Sequence, residues 1–170
     1  MSAWVTPTSW TALKTSSVSS SPAPGYRYCF DVRATDNAGN VGPWSSARCT
    51  TVPYDDRQLK ASSGWNLSGT TAWFHSTYRS TSRYGATLSM PTTTSNRHVG
   101  IIGYHCSTCG TVDVYVGSVR AGRISLASST SGRLLAMLPA FTSTRDGTIR
   151  LVASSPTGRL VRIDALVLNP

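Results

Sequence analysis

A chain of 170 residues has room for one medium domain or two small ones, and its net charge of +9 allows attraction to polyanions such as nucleic acid, acidic glycans or teichoic acids. The sixteen basic residues are scattered singly. No basic stripe with aromatic platforms and no reading helix is visible, which sets specific nucleic-acid recognition aside. No apolar run is long enough to span a membrane, the first residues lack the pattern of a signal peptide, and Glu is absent, so the residues that remain favour strands and turns over helices.

Residues 25–51 read as a β-hairpin. Tyr26, Tyr28, Phe30 and Val32 alternate with Arg27, Cys29, Asp31 and Arg33, and the Asp-Asn-Ala-Gly-Asn run at 36–40 supplies the turn. A hairpin centred near Gly39 sets Cys29 opposite Cys49, within disulfide reach. The same turn offers too few carboxylates for a calcium loop. The phrase from Tyr26 to Ser45, YxYCFxVRAxDxAGNxGxWS, resembles the last two strands of a fibronectin type III domain, and the residues before it are similar to the middle strands. About fifty residues cannot build a seven-stranded sandwich, so the resemblance implies a truncated domain with open edges and a capacity for self-association.

Tyr54-Asp55-Asp56-Arg57 has the composition of a solvated linker, and the domain boundary is placed there, giving segments 1–53 and 54–170. Strand-like segments follow at 64–67, 72–78, 86–90, 98–105, 111–117, 123–127, 134–141, 148–154 and 160–168. The cleanest alternation puts Val112, Val114 and Val116 opposite Thr111, Asp113 and Tyr115. The Cys106-Ser107-Thr108-Cys109-Gly110 turn before it reads as the tip of a hairpin. In the last segment Val161, Ile163, Ala165 and Val167 line one face, and Arg162 and Asp164 the other, with Asp164 expected to pair with an Arg. Many short strands without a credible helix predict an all-β antiparallel sandwich or jelly roll.

The order of Gly64-Trp65, Tyr84-Gly85-Ala86-Thr87-Leu88, Gly110-Thr111-Val112-Asp113-Val114-Tyr115-Val116, Gly147-Thr148-Ile149-Arg150-Leu151 and Val161-Arg162-Ile163-Asp164-Ala165-Leu166 resembles the galactose-binding-like jelly rolls, similar to carbohydrate-binding modules, at the C-termini of secreted bacterial proteins. The resemblance covers roughly residues 58–169. It implies a C-terminal tail of a longer exported protein. Val116-Gly117-Ser118 departs from the Asp-Gly turn of related jelly rolls, so no ligand role is carried over from that turn.

Sugars stack their C–H faces on flat rings, so the cluster of Trp65, Trp73, Phe74, His75, Tyr78 and Tyr84 is the best binding candidate. Trp65 and Phe74 suit the core, leaving Trp73, His75, Tyr78 and Tyr84 as candidate ligand-binding residues. On segment 72–78, Trp73, His75 and Thr77 should share a side opposite Phe74 and Tyr78. Cys106 and Cys109 allow a disulfide staple, half of a zinc site with His98 or His105, or a redox pair. A redox pair would want a helix N-terminus, whereas Gly110 leads into a strand. The even cysteine count favours two disulfides and a secreted or cell-surface location. No nucleophile elbow is present, and Asp113 and Asp164 are the only strand-borne carboxyls of this part. The reading is a non-catalytic module without metal or cofactor that binds carbohydrate or a cell-envelope polymer. The alternative is an assembly or adhesion module that joins partners through exposed β edges.

Overall fold

The computed structural model describes residues 4–11 and 13–169, and apart from three short 3-10 turns its elements are strands. Before residue 54 there is one antiparallel pair, β1 (Arg27–Phe30) and β2 (Arg48–Thr51). Cys29 faces Cys49 in that pair and is bonded to it. The Asp36 carboxylate ties the turn by accepting from the backbone N–H of Ala38 (2.9 Å) and Asn40 (2.8 Å) and from Asn40 Nδ2 (2.8 Å). Such local side-chain bonds fix a tight turn. Among the described residues no further strand joins this two-stranded sheet, so the fibronectin type III resemblance rests on the sequence phrase alone.

The strands from residue 54 onward build a jelly-roll sandwich. They are β3 (Tyr54–Asp55), β4 (Lys60–Ala61), β5 (Asn66–Gly69), β6 (Thr77–Thr81), β7 (Thr87–Asn96), β8 (His98–His105), β9 (Thr111–Val116), β10 (Val119–Ser125), β11 (Gly132–Met137), β12 (Arg145–Ala153) and β13 (Val161–Asn169). One sheet runs β10-β9-β12-β7-β4 and the other β11-β8-β13-β6-β5, with β3 added beside β13. All the strand pairings are antiparallel. Leu88, Val112, Val114, Ile149 and Leu151 from the first sheet meet Val99, Ile101, Val161, Ile163 and Leu166 from the second, all fully buried. Each such side chain contributes about 1.5–3 kcal/mol on burial.

Three sequence expectations change here. The Cys106–Cys109 turn is not a hairpin tip, because β8 lies in the six-stranded sheet and β9 in the five-stranded one. The turn carries the chain from one sheet to the other. Two alternating strands with apolar inner faces can pair side by side or face each other across a core, and periodicity does not separate the two. The 54–57 segment is no solvated linker. Asp55 and Asp56 are buried. Tyr54 and Asp55 pair with Leu166 and Ala165. Asp55 caps the following 3-10 turn (Asp56–Gln58) in a capping box with Gln58. Finally, β13 does not keep one face throughout. Its register slips between Ile163 and Ala165. Val161 and Ile163 point into the core before the slip, and Leu166 and Leu168 after it, while Ala165 and Val167 lie outside the core cluster. A bulge of one residue turns the alternation over, as the period of two requires.

Candidate functional site

The connection between β5 and β6 is a turn where a strand was expected. Phe74–Ser76 form a 3-10 turn, and His75 and Ser76 take φ of +48° and +63°. Thr70 N–H donates to Ser76 O (2.9 Å), and Ser76 N–H donates to Trp73 O (2.9 Å). Phe74 N–H donates to Asp164 Oδ2 (3.1 Å). This turn breaks the alternation of 72–78 and brings Trp73 and Tyr78 together, with ring centroids 4.9 Å apart. Tyr104 of β8 stands 6.2 Å from Trp73. The Arg162 guanidinium of β13 lies 4.6 Å from the Tyr78 ring centre, 4.7 Å from Tyr104 and 5.8 Å from Trp73. Guanidinium groups are drawn to the negative faces of such rings. Buried Arg162 Nε has no hydrogen-bond partner among the described residues. Arg133 closes the group by donating to Ala72 O.

Of the four candidate ligand residues, the structure joins two. Trp73 is only 8% exposed, packed in the stack with Tyr78, so its ring is not the open platform expected of it. His75 is exposed on the same loop, its ring 4.2 Å from Phe74. Tyr84 is 64% exposed on the turn between β6 and β7, outside the stack. Phe74 is half-buried, and Trp65 packs against the core as expected. Sequence reasoning missed Tyr104 and Arg162. The signal was there: Arg162 is an Arg between the core residues Val161 and Ile163, so it must emerge on the outer face of its sheet.

Beneath the loop is an acidic corner. Asp164 lies at the register slip of β13, 1% exposed, and makes no ion pair among the described residues, contrary to the expectation that it would meet an Arg. Burial pushes its carboxyl up to about 6, and the Asp56 and Asp55 charges push the same way against the Phe74 N–H bond. Burial also raises Asp56, opposed by its bond from Thr77 Oγ1 at 2.6 Å. Asp55 Oδ2, Asp56 Oδ2 and Asp164 Oδ1 are buried without a hydrogen-bond partner among the described residues. Such oxygens suit a hard divalent cation. Among the described residues, however, no three His, Cys, Asp or Glu side chains are grouped to hold a metal ion. That applies equally to His98 and His105, and Cys106 and Cys109 are bonded to each other.

Asp113 belongs to the opposite sheet. On the outer face of β9 it accepts from Arg120 Nη2 (2.7 Å) and from Arg123 Nε (2.7 Å) and Nη2 (3.0 Å). The Arg123 bonds, helped by Arg120, hold its carboxyl down at about 2. Asp113 and Asp164 therefore sit in different sheets with their acidities pushed apart.

No protein-family model matches the chain, and no curated protein matches it. Solved structures do. The CBM36-1 domain of a multidomain xylanase from the hindgut metagenome of Trinervitermes trinervoides superposes with a TM-score of 0.53 at 16% identity, covering 70% of this chain and 96% of that one. A family 6 carbohydrate-binding module from Clostridium cellulolyticum in complex with xylose gives 0.52 at 12% identity, over 69% and 96%. The CsCBM6-3 module from Clostridium stercorarium in complex with cellobiose gives 0.50 at 15% identity, over 69% and 92%. At these identities the likeness is one of fold.

Proposed function

We propose that the chain is a non-catalytic module of a secreted or cell-surface protein that binds carbohydrate through the outer face of its six-stranded sheet. The carrying observation is the Tyr78–Arg162–Tyr104 stack, in which rings and a guanidinium lie side by side on strands. Ser80 stands opposite Arg162, and Asn66 opposite Ser80, so a hydroxyl and an amide continue the row. Rings for C–H faces beside polar groups for hydroxyls is the chemistry a sugar needs. The role of Trp73 is to hold Tyr78 rather than to meet ligand, and His75 contacts ligand from the loop. The same fold in modules that hold xylose and cellobiose supports this reading, as do the two disulfides for an exported setting. Residues 54–170 form the binding unit, and residues 1–53 a separate hairpin segment.

Affinity electrophoresis through soluble xylan and β-glucan tests it. Tyr78→Ala should weaken retardation by about tenfold, or 1.4 kcal/mol, in a protein that still unfolds cooperatively. A folded Tyr78→Ala protein that binds as well as the parent, or a parent that neither glycan retards, would refute the proposal.

A further inference from the structure

The other sheet carries a different surface. The strand register aligns one residue from every strand into a transverse row: Arg120 opposite Tyr115, Tyr115 opposite Arg150, Arg150 opposite Ser89, and Ser89 opposite Lys60. Their strand neighbours Val114, Leu151 and Leu88 are fully buried, so the row lies on the outer face. Strands stand about 4.8 Å apart, so four steps carry the row about 19 Å across the sheet. Beside it Arg123 stands opposite Asp113. Lys60, Arg120, Arg123 and Arg150 against Asp113 leave three net positive charges (four minus one). Asp113 fixes two of the guanidinium groups, and Arg150 lies 4.5 Å over the Tyr115 ring. The N-terminal hairpin borders a groove on the other sheet.

We infer that this face binds an acidic polysaccharide whose sugar carboxylates meet the row from Arg120 to Lys60. Guanidinium groups take carboxylates in paired, charge-assisted hydrogen bonds, and groups already held in place lose less freedom on binding. A single-stranded nucleic acid would want open ring faces for its bases, and the Tyr115 ring is occupied by Arg150. The surface is distinct from the Tyr78 stack and stands or falls separately from it.

The test uses the full chain and polygalacturonate, compared with the same polymer methyl-esterified. The parent should bind the acid form at least tenfold more tightly than the ester, and raising salt from about 50 mM to about 300 mM should weaken that binding. Lys60→Gln with Arg150→Gln should lose about tenfold, Tyr78→Ala nothing, and Lys14→Gln with Arg97→Gln, of equal charge change elsewhere, less than twofold. Equal loss in the two charge-matched doubles, or equal binding of acid and ester, would overturn the inference. So would tighter binding of single-stranded polynucleotide than of polygalacturonate. Retardation by xylan with no affinity for polygalacturonate would overturn it while leaving the neutral-glycan site intact.

Discussion

Asp164 sits where β13 slips register, and that one residue connects the core, the acidic corner and the aromatic loop. Its Oδ2 accepts from the Phe74 N–H while its Oδ1 has no hydrogen-bond partner among the described residues. A carboxyl raised to about 6 in the folded chain, against an ordinary 3.8, stabilises the fold fully below 3.8 and loses that contribution as pH rises through 6. Asp113 has the opposite sign. Lowered to about 2, it stabilises above 3.8 and fails only in strong acid. In EDTA, the unfolding midpoint should therefore rise between pH 7.5 and pH 4.5. The gain is on the order of 2 kcal/mol at most, since one pKa unit is about 1.4 kcal/mol and the unfolded carboxyl is still mostly ionised at pH 4.5. Asp164→Asn keeps an acceptor for Phe74 and removes the charge. It should be more stable than the parent at pH 7.5 and lose most of the pH dependence. A variant less stable at pH 7.5, by calorimetry, would show that the charge is favourable where it stands.

At the scale of elements, the Cys106–Cys109 turn joins the sheets instead of capping two paired strands. Cys106 N–H donates to Leu126 O (3.1 Å), Gly110 N–H to Leu160 O (2.8 Å), and Leu126 N–H to Gly110 O (2.8 Å). The backbone thus knits four segments together without help from the sulfurs. A disulfide across a separation of three constrains the unfolded chain weakly, by about 2 kcal/mol, against about 3 kcal/mol for the Cys29–Cys49 separation of twenty. Cys106→Ala with Cys109→Ala should cost about 2 kcal/mol in denaturant unfolding and leave xylan retardation unchanged, because Tyr78 and Arg162 do not rest on it. Lost binding in that folded variant would place the turn in the site. The pairing of Cys29 with Cys49 was legible from a hairpin centred near Gly39, although the ladder shifts between the Thr35–Val41 bridge and the cysteines. Elsewhere legibility failed where the ladder is irregular. The segment read at 86–90 stops short, since β7 continues through Pro91 to Asn96. The β12 pairing passes from Ser89 to Thr93 across a bulge, so Pro91 is not a rung of the ladder. The shift between Arg120 and Gly122 likewise hid the start of β10. Trp73 and Tyr78 were legible as a cluster. Their contact was not, because it depends on two residues in left-handed backbone that no alternation signals.

Over the whole molecule, the two outer faces differ in what covers them. Cys49, Thr50, Thr51 and Pro53 line a groove with His98, Ile102, Leu135, Met137 and Val167, so the N-terminal hairpin borders apolar residues of β8, β11 and β13, of which Leu135 and Met137 stay exposed. The hairpin has open edges of its own, and Tyr26, Val32, Val41 and Trp44 are exposed. Two routes to self-association follow, and they have opposite signs when the hairpin is removed. A protein shortened to residues 54–170 keeps every strand of both sheets, and it should unfold cooperatively. It uncovers Ile102 and Val167 beside the already exposed Leu135 and Met137, and contiguous apolar surface drives association. Light scattering at rising concentration should show the shortened protein forming oligomers at concentrations where the full chain is monomeric. Leu135→Lys with Met137→Lys should return it to monomer. Oligomers of the full chain that vanish on shortening would instead assign assembly to the edges of β1 and β2.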